Sequence, residues 1–211
     1  MNPLDRQLFY IKFRGKLRAE YSRAGAEEIW RAAGEEYSRL LARRPDLKAH
    51  RGRMVLPAAA LYLVMDRGDA ERLLCEYGDE TGKLFAGIVH ALTSLPGVSS
   101  LIWRNMEGIM DRMSSEDLGY KRRIVSRPPD MYGVDILSCP YHELAKELGA
   151  EKAVLCICRM DKVYMMGFCH IRYERSTAVS EGAKACDYRL RRGESGKRPG
   201  KGKAHDGSEQ T

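Results

Sequence analysis

The sequence predicts an α+β protein in which a helical N-terminal half packs on a small antiparallel sheet, with two helices in the C-terminal half. Three observations predict it. Up to residue 118, apolar residues recur at helical spacing between Arg, Lys and Glu. After Gly119 the pattern changes to short aromatic and β-branched runs broken by proline. The length of 211 residues suits one core, so one α+β domain is expected over 1–192, helical over 1–118 and mixed over 119–192, followed by a disordered basic tail over 193–211.

Each element has its own signal. Leu8, Ile11, Leu17, Tyr21, Ile29, Trp30, Tyr37, Leu40 and Leu41 form a helical block that Pro45 ends. Pro57 suits the first turn of a new helix running through Ala58, Leu61, Tyr62 and Met65. Gly68-Asp69 reads as a helix stop and a fresh N-cap, giving separate helices over Ala70–Tyr77 and Thr81–Leu95. Pro96-Gly97 closes that segment as a turn, and Val98 to Met113 continues as helix. Strands are expected at Lys121–Arg127 and Met131–Ser138. Pro140 then starts a helix whose stripe of Tyr141, Leu144, Ala145 and Leu148 is stopped by Gly149, and a second helix covers Glu151–Met166. Two further strands follow, near Phe168–Thr177 and Lys184–Arg191, joined across Glu181-Gly182. From Gly193 onward the composition is Gly, Lys, Ser and Pro with no apolar anchor, which predicts disorder.

Composition excludes several functions. The formal charge is +7, but six basic and three acidic residues from Arg191 onward leave the body at +4, an ordinary solvated surface. With neither a basic face interleaved with aromatics nor a known module, no nucleic-acid partner is expected. The apolar run from Val55 to Met65 is broken by Pro57 and falls far short of the roughly 20 residues of a membrane helix. Asp5 and Arg6 lead into mixed residues rather than an apolar run, so neither a secretory signal nor a membrane partner is expected, and the protein reads as cytoplasmic. Its six cysteines then read as reduced thiols rather than a disulfide framework.

The residues suited to chemistry gather in the last third. Cys139 stands just before Pro140, where amides at a helix start favour a thiolate and suit a nucleophile or metal ligand. Cys158 and Asp161 are three apart and share a helix face. Cys186 and Asp187, adjacent in a strand, face opposite ways, while Arg175 and Thr177 are placed on the face of Tyr173. Cys75, Cys156 and Cys169 are assigned to packing. Cys156-Ile157-Cys158 is too tight for a zinc knuckle, and neither a GxSxG elbow nor a glycine-rich phosphate loop is present.

The ordered series of Cys139-Pro140-Tyr141, Lys146-Glu147-Leu148-Gly149, Leu155 through Cys158 and Asp161 to Tyr164, and Gly167-Phe168 is recognisable. It continues through Arg172, Arg175, Thr177, Glu181-Gly182 and Cys186-Asp187-Tyr188-Arg189. With Ala60-Leu61-Tyr62-Leu63 and Arg67-Gly68 in the helical half, the series resembles the L-2-amino-thiazoline-4-carboxylic acid hydrolase family over roughly residues 5–191. The resemblance implies hydrolytic opening of a cyclic amidine-like ring. On the matching positions it implies catalytic roles for Cys139, Cys158, Asp161 and Cys186: a thiol attacks or polarises C2 of the ring and Asp161 acts as base. It further implies that Arg175 holds the substrate carboxylate, with Thr177, Tyr141 and Asp187 as substrate contacts. The expected partner is a small-molecule substrate, the oligomeric state stays open, and no cofactor is expected. Two alternatives stand beside this reading: a ligand-binding or sensor domain without chemistry, and a protein holding zinc or an iron–sulfur cluster on Cys139, Cys158 and Cys186.

Overall fold

A computed structural model describes residues 2–193 apart from 46 and 48, with the backbone alone over 49–53. The disordered tail expected from Gly193 lies, beyond that residue, outside the described residues.

The fold is α+β. After a 3-10 turn at Pro3–Arg6, helices α1 (Phe13–Glu20), α2 (Arg23–Arg43), α3 (Ala49–Val64) and α4 (Arg67–Thr93) build the N-terminal half. Ser22 caps α2 by accepting from the Gly25 amide at 3.2 Å. Pro57 lies inside α3 rather than in its first turn, so that helix starts eight residues earlier than its proline suggests.

The largest departure from expectation is α4. Gly68 does not stop a helix: Asp66 is the N-cap, its carboxylate accepting from Gly68 and Asp69, and 27 residues follow without a break where two helices were expected. Glycines inside that span serve packing. A Cβ at Gly78 would stand 2.3 Å from the carbonyl oxygen of Cys156, and one at Gly82 would stand 2.7 Å from Val163 Cβ. Both positions lie against α8 (Leu155–Met165), and their missing side chains let the two helix backbones meet.

Gly97, at φ 82°, turns the chain after α4. The single helix expected over 98–113 is two, α5 (Val98–Arg104) and α6 (Met106–Met113), divided at Asn105. Among the described residues no single helix is long and apolar enough to cross a membrane; α4 and α5 meet the test only together, across a bend of 102°.

The strands are β1 (Lys121–Ser126), β2 (Met131–Ser138), β3 (Ile171–Glu174) and β4 (Cys186–Arg192), in the antiparallel order β1-β2-β4-β3. Between β2 and β3 lie α7 (Pro140–Glu147), a 3-10 turn over Glu151–Val154 and α8. β3 is shorter than expected and ends at Glu174, so Arg175 and Thr177 lie in a loop and do not continue the strand alternation of Tyr173.

Two clusters make the core. The helical one joins Trp30, Leu56, Leu61, Leu73 and Leu74 with Leu144 and the α8 residues Cys156, Ile157 and Met160. The second covers one face of the sheet (Tyr132, Val134, Ile136, Tyr173, Cys186, Leu190) with Trp103, Met106 and Met110, closed by Met165 of α8. Helix α8 is therefore shared: one face serves the helices, the other the sheet. Asp161 sits on α8 between the two.

Candidate active site

Where α6, α8 and the inner face of the sheet meet, they leave a cavity of about 90 Å³. That is room for several waters or a small ring compound. Met110, Met113 and Ser114 line it from α6 and its end, Asp161, Tyr164 and Met165 from α8, and Tyr120, Ile136 and Tyr188 from the sheet side. The register explains the sheet's share: Val134 of β2 pairs with Tyr188 of β4, and Ile136 with Cys186, so these alternate residues face α8.

Asp161 is the one carboxylate in this lining, with 23% of its side-chain surface left open. Burial raises its pKa above the ordinary carboxylate value, against two lowering contacts. Tyr188 donates its hydroxyl proton to Asp161 Oδ2 at 2.8 Å. Arg175 reaches the same oxygen from Nη1 at 3.3 Å, and donates from Nη1 to Tyr188 Oη at 3.2 Å. The guanidinium also lies over the Tyr188 ring, 5.5 Å from its centroid. Burial likewise pushes up the hydroxyls of Tyr120, Tyr164 and Tyr188, which keeps them protonated as donors.

This geometry corrects the expected role of Arg175. Its side chain is 3% exposed, and its Nη2 is bound to the Cys158 carbonyl at 2.8 Å. Engaged with Asp161, Tyr188 and this carbonyl, it is placed to position the carboxylate rather than to clamp one from a substrate. A different cation reaches the wall: Arg122 Nη1 lies 3.5 Å from Ser114 Oγ and 2.6 Å from Asp111. Sequence reading singled out neither Arg122 nor Tyr120, and named Tyr188 only within Cys186-Asp187-Tyr188-Arg189, without a site role.

The thiols stand behind this wall. Cys139 stands close enough to the other two for Cys186 to raise its pKa and for Cys139 to raise that of Cys158, yet none of the three lines the cavity. Burial works against an activated thiolate at Cys139: desolvation raises its pKa and outweighs the amides of Tyr141 and His142. Burial also pushes Cys158 up to about 12 and raises Cys186, whose sulfur accepts the Val179 amide at 3.2 Å. Among the described residues no group of three or more His, Cys, Asp or Glu is placed to hold a metal ion.

The remaining expected contacts lie elsewhere. Asp187 faces away from Cys186, as the strand alternation requires, and its carboxylate caps the Arg175–Thr177 loop. It accepts from the Ser176 amide at 2.9 Å, the Thr177 amide at 2.6 Å and the Thr177 hydroxyl at 3.0 Å. Desolvation opposes ionisation there, but these bonds win and hold its pKa at about 2. Asp187 and Thr177 thus shape the loop that carries Arg175. Tyr141 packs its ring 6.4 Å from Tyr120, one residue removed from the cavity.

Comparison with known families agrees with the sequence motifs. The family model described as L-2-amino-thiazoline-4-carboxylic acid hydrolase matches residues 54–190, which spans α4 to β4 and every residue of the cavity. No curated protein and no solved structure matches the chain.

Proposed function

The chain belongs to the L-2-amino-thiazoline-4-carboxylic acid hydrolase family, and from that membership together with the Asp161 cavity we propose that it hydrolyses a C–S or C–N bond of a small cyclic amidine-like acid. The observation that carries this reading is one buried carboxylate with a raised pKa, open to a small cavity and held by Tyr188 and Arg175. With a ring of the 2-amino-thiazoline-4-carboxylate type, Asp161 takes a proton from water as the oxygen bonds to C2. The C2–S bond then breaks. The C2 hydroxyl proton passes to the ring nitrogen as the carbonyl forms, and the sulfur leaves with the electron pair and receives the proton held by Asp161, relayed by the hydroxyl of Tyr120 or Tyr164 so that the phenol is restored. The acid–base work in this reading falls to a carboxylate and phenols, with the thiols serving as packing.

Incubation with 2-amino-thiazoline-4-carboxylate, followed by mass spectrometry, tests the proposal. A product heavier by one water is expected from the native chain, and Asp161→Asn should form it about 10²–10⁴-fold more slowly. Binding without any product would replace the hydrolase with a ligand-binding protein.

A further inference from the structure

Cys169, assigned to packing on sequence, has a different setting from the other thiols. Its sulfur lies 3.2 Å from His90 Nδ1 and 3.1 Å from Ser94 Oγ, on the last turns of α4. The Ser94 hydroxyl is bound to the His90 carbonyl at 2.7 Å, which leaves the imidazole nitrogen as a base for the thiol proton. The backbone beneath is pinned at both polar groups. The Cys169 amide donates to Thr93 Oγ1 at 2.9 Å, and its carbonyl accepts from Ser99 Oγ at 2.6 Å. Thr93 and Ser99 are 2% and 6% exposed, so two buried hydroxyls fix the thiol against the imidazole.

The next residue, His170, adopts φ 58°, uncommon for a residue with a side chain and a form of local strain. Beside it opens a polar cavity of about 220 Å³ whose walls include Ser94, Ser99, Ser100, His170 and Arg192. Arg192 is exposed and makes no ion pair among the described residues. The thiol and imidazole adjoin this cavity through Ser94, whose hydroxyl touches the Cys169 sulfur, and its walls come from the end of α4, the start of α5, the turn before β3 and the end of β4.

We infer that Cys169 is a thiol–disulfide exchange site for small carboxylate-bearing disulfides of the oxidised-glutathione class, with His90 as its base and Arg192 holding the anion. The thiol proton passes to His90 Nδ1 as Cys169 Sγ attacks one sulfur of the disulfide. The new S–S bond forms as the old one breaks, and the electron pair leaves on the second sulfur, which takes the proton from the imidazolium. One thiol and one disulfide become one mixed disulfide and one thiol, so no further oxidant enters.

Reduced full-length protein is incubated at pH 7 with oxidised glutathione or, separately, with cystamine, which is cationic. The reaction is quenched in acid and the labelled cysteine identified by peptide mapping. Cys169 should be modified first and should prefer oxidised glutathione. His90→Ala should slow its modification roughly tenfold, since the imidazole that takes the thiol proton is gone. Arg192→Ala should slow reaction with oxidised glutathione and abolish its preference over cystamine; a preference kept in this variant would overturn the role of Arg192. First modification at another cysteine, or equal Cys169 rates in the native chain and His90→Ala with circular dichroism unchanged, would overturn the inference. Because the readout is the mapped cysteine rather than turnover, it stands or falls independently of the proposed hydrolysis.

Discussion

Replacing Tyr188 by Phe removes one hydroxyl from the centre of the proposed site and leaves the ring packed. That hydroxyl donates to Asp161 Oδ2 at 2.8 Å and accepts from Arg175 at 3.2 Å. A hydrogen bond to an ionised carboxylate contributes about 1.5–3 kcal/mol, against about 0.5–1.5 for a neutral one. The difference falls on the charged form alone, so the Asp161 pKa should rise by roughly one unit at 1.36 kcal/mol per unit. The sign for stability follows. Asp161 already titrates above the ordinary carboxylate value, so its protonated form favours the folded state. The associated stability is present below about pH 4, the unfolded carboxylate value, and is lost as pH rises through the folded pKa. Tyr188→Phe extends that loss upward. Urea denaturation should show the variant less stable by about 0.5–1.5 kcal/mol below pH 4 and by about 1.5–3 kcal/mol at pH 8. The acidic limb of the pH–rate profile should move up by the same unit. An identical stability gap at both pH values, with an unmoved limb, would refute the claim that Tyr188 holds the ionised carboxylate.

Other consequences are simpler to read. Gly78→Ala should cost about 1–3 kcal/mol in urea denaturation, because its Cβ meets the Cys156 carbonyl, whereas Gly87→Ala, with open space around it in the same helix, should stabilise by about 0.5–1 kcal/mol. Asp187→Ala should lower the melting temperature at neutral pH through loss of the loop cap. Since Asp187 is depressed to about 2, the difference should persist above pH 4 and vanish as the pH falls towards 2. Cys158, pushed up to about 12, should resist iodoacetamide in the folded protein and react once urea exposes it, as mass spectrometry would show.

Much of the fold was legible because local chemistry and tertiary structure agree. Met131–Ser138 and the Pro140 helix start stand where the sequence places them, since β-branched alternation and a proline with no amide to lose leave few other conformations. Glycine was the main source of error. Gly68 and the glycines near 80 read locally as breaks, but Asp66 supplies the cap and the approach of α8 supplies the reason for Gly78 and Gly82. The site was legible in part. Asp161 and Arg175 were both named from the sequence, yet their contact needs α8 and the loop after β3 to converge, and burial that raises a thiol's pKa has no signature in spacing. Cys169 was read as packing, as a lone cysteine usually is, and its contact with His90 joins residues 79 apart, which spacing cannot show.

The central claim is that Asp161, and not a thiol, does the chemistry. The most direct measurement compares single-turnover rates on 2-amino-thiazoline-4-carboxylate for the native chain, Asp161→Asn and a Cys139→Ser, Cys158→Ser double variant, each run in ¹⁸O-labelled water. The account predicts one labelled oxygen in the product, a rate in the double variant within a few-fold of native, and a loss of about 10²–10⁴-fold in Asp161→Asn. Loss of turnover in the double variant, with Asp161→Asn still active, would contradict it and return the chemistry to the thiols.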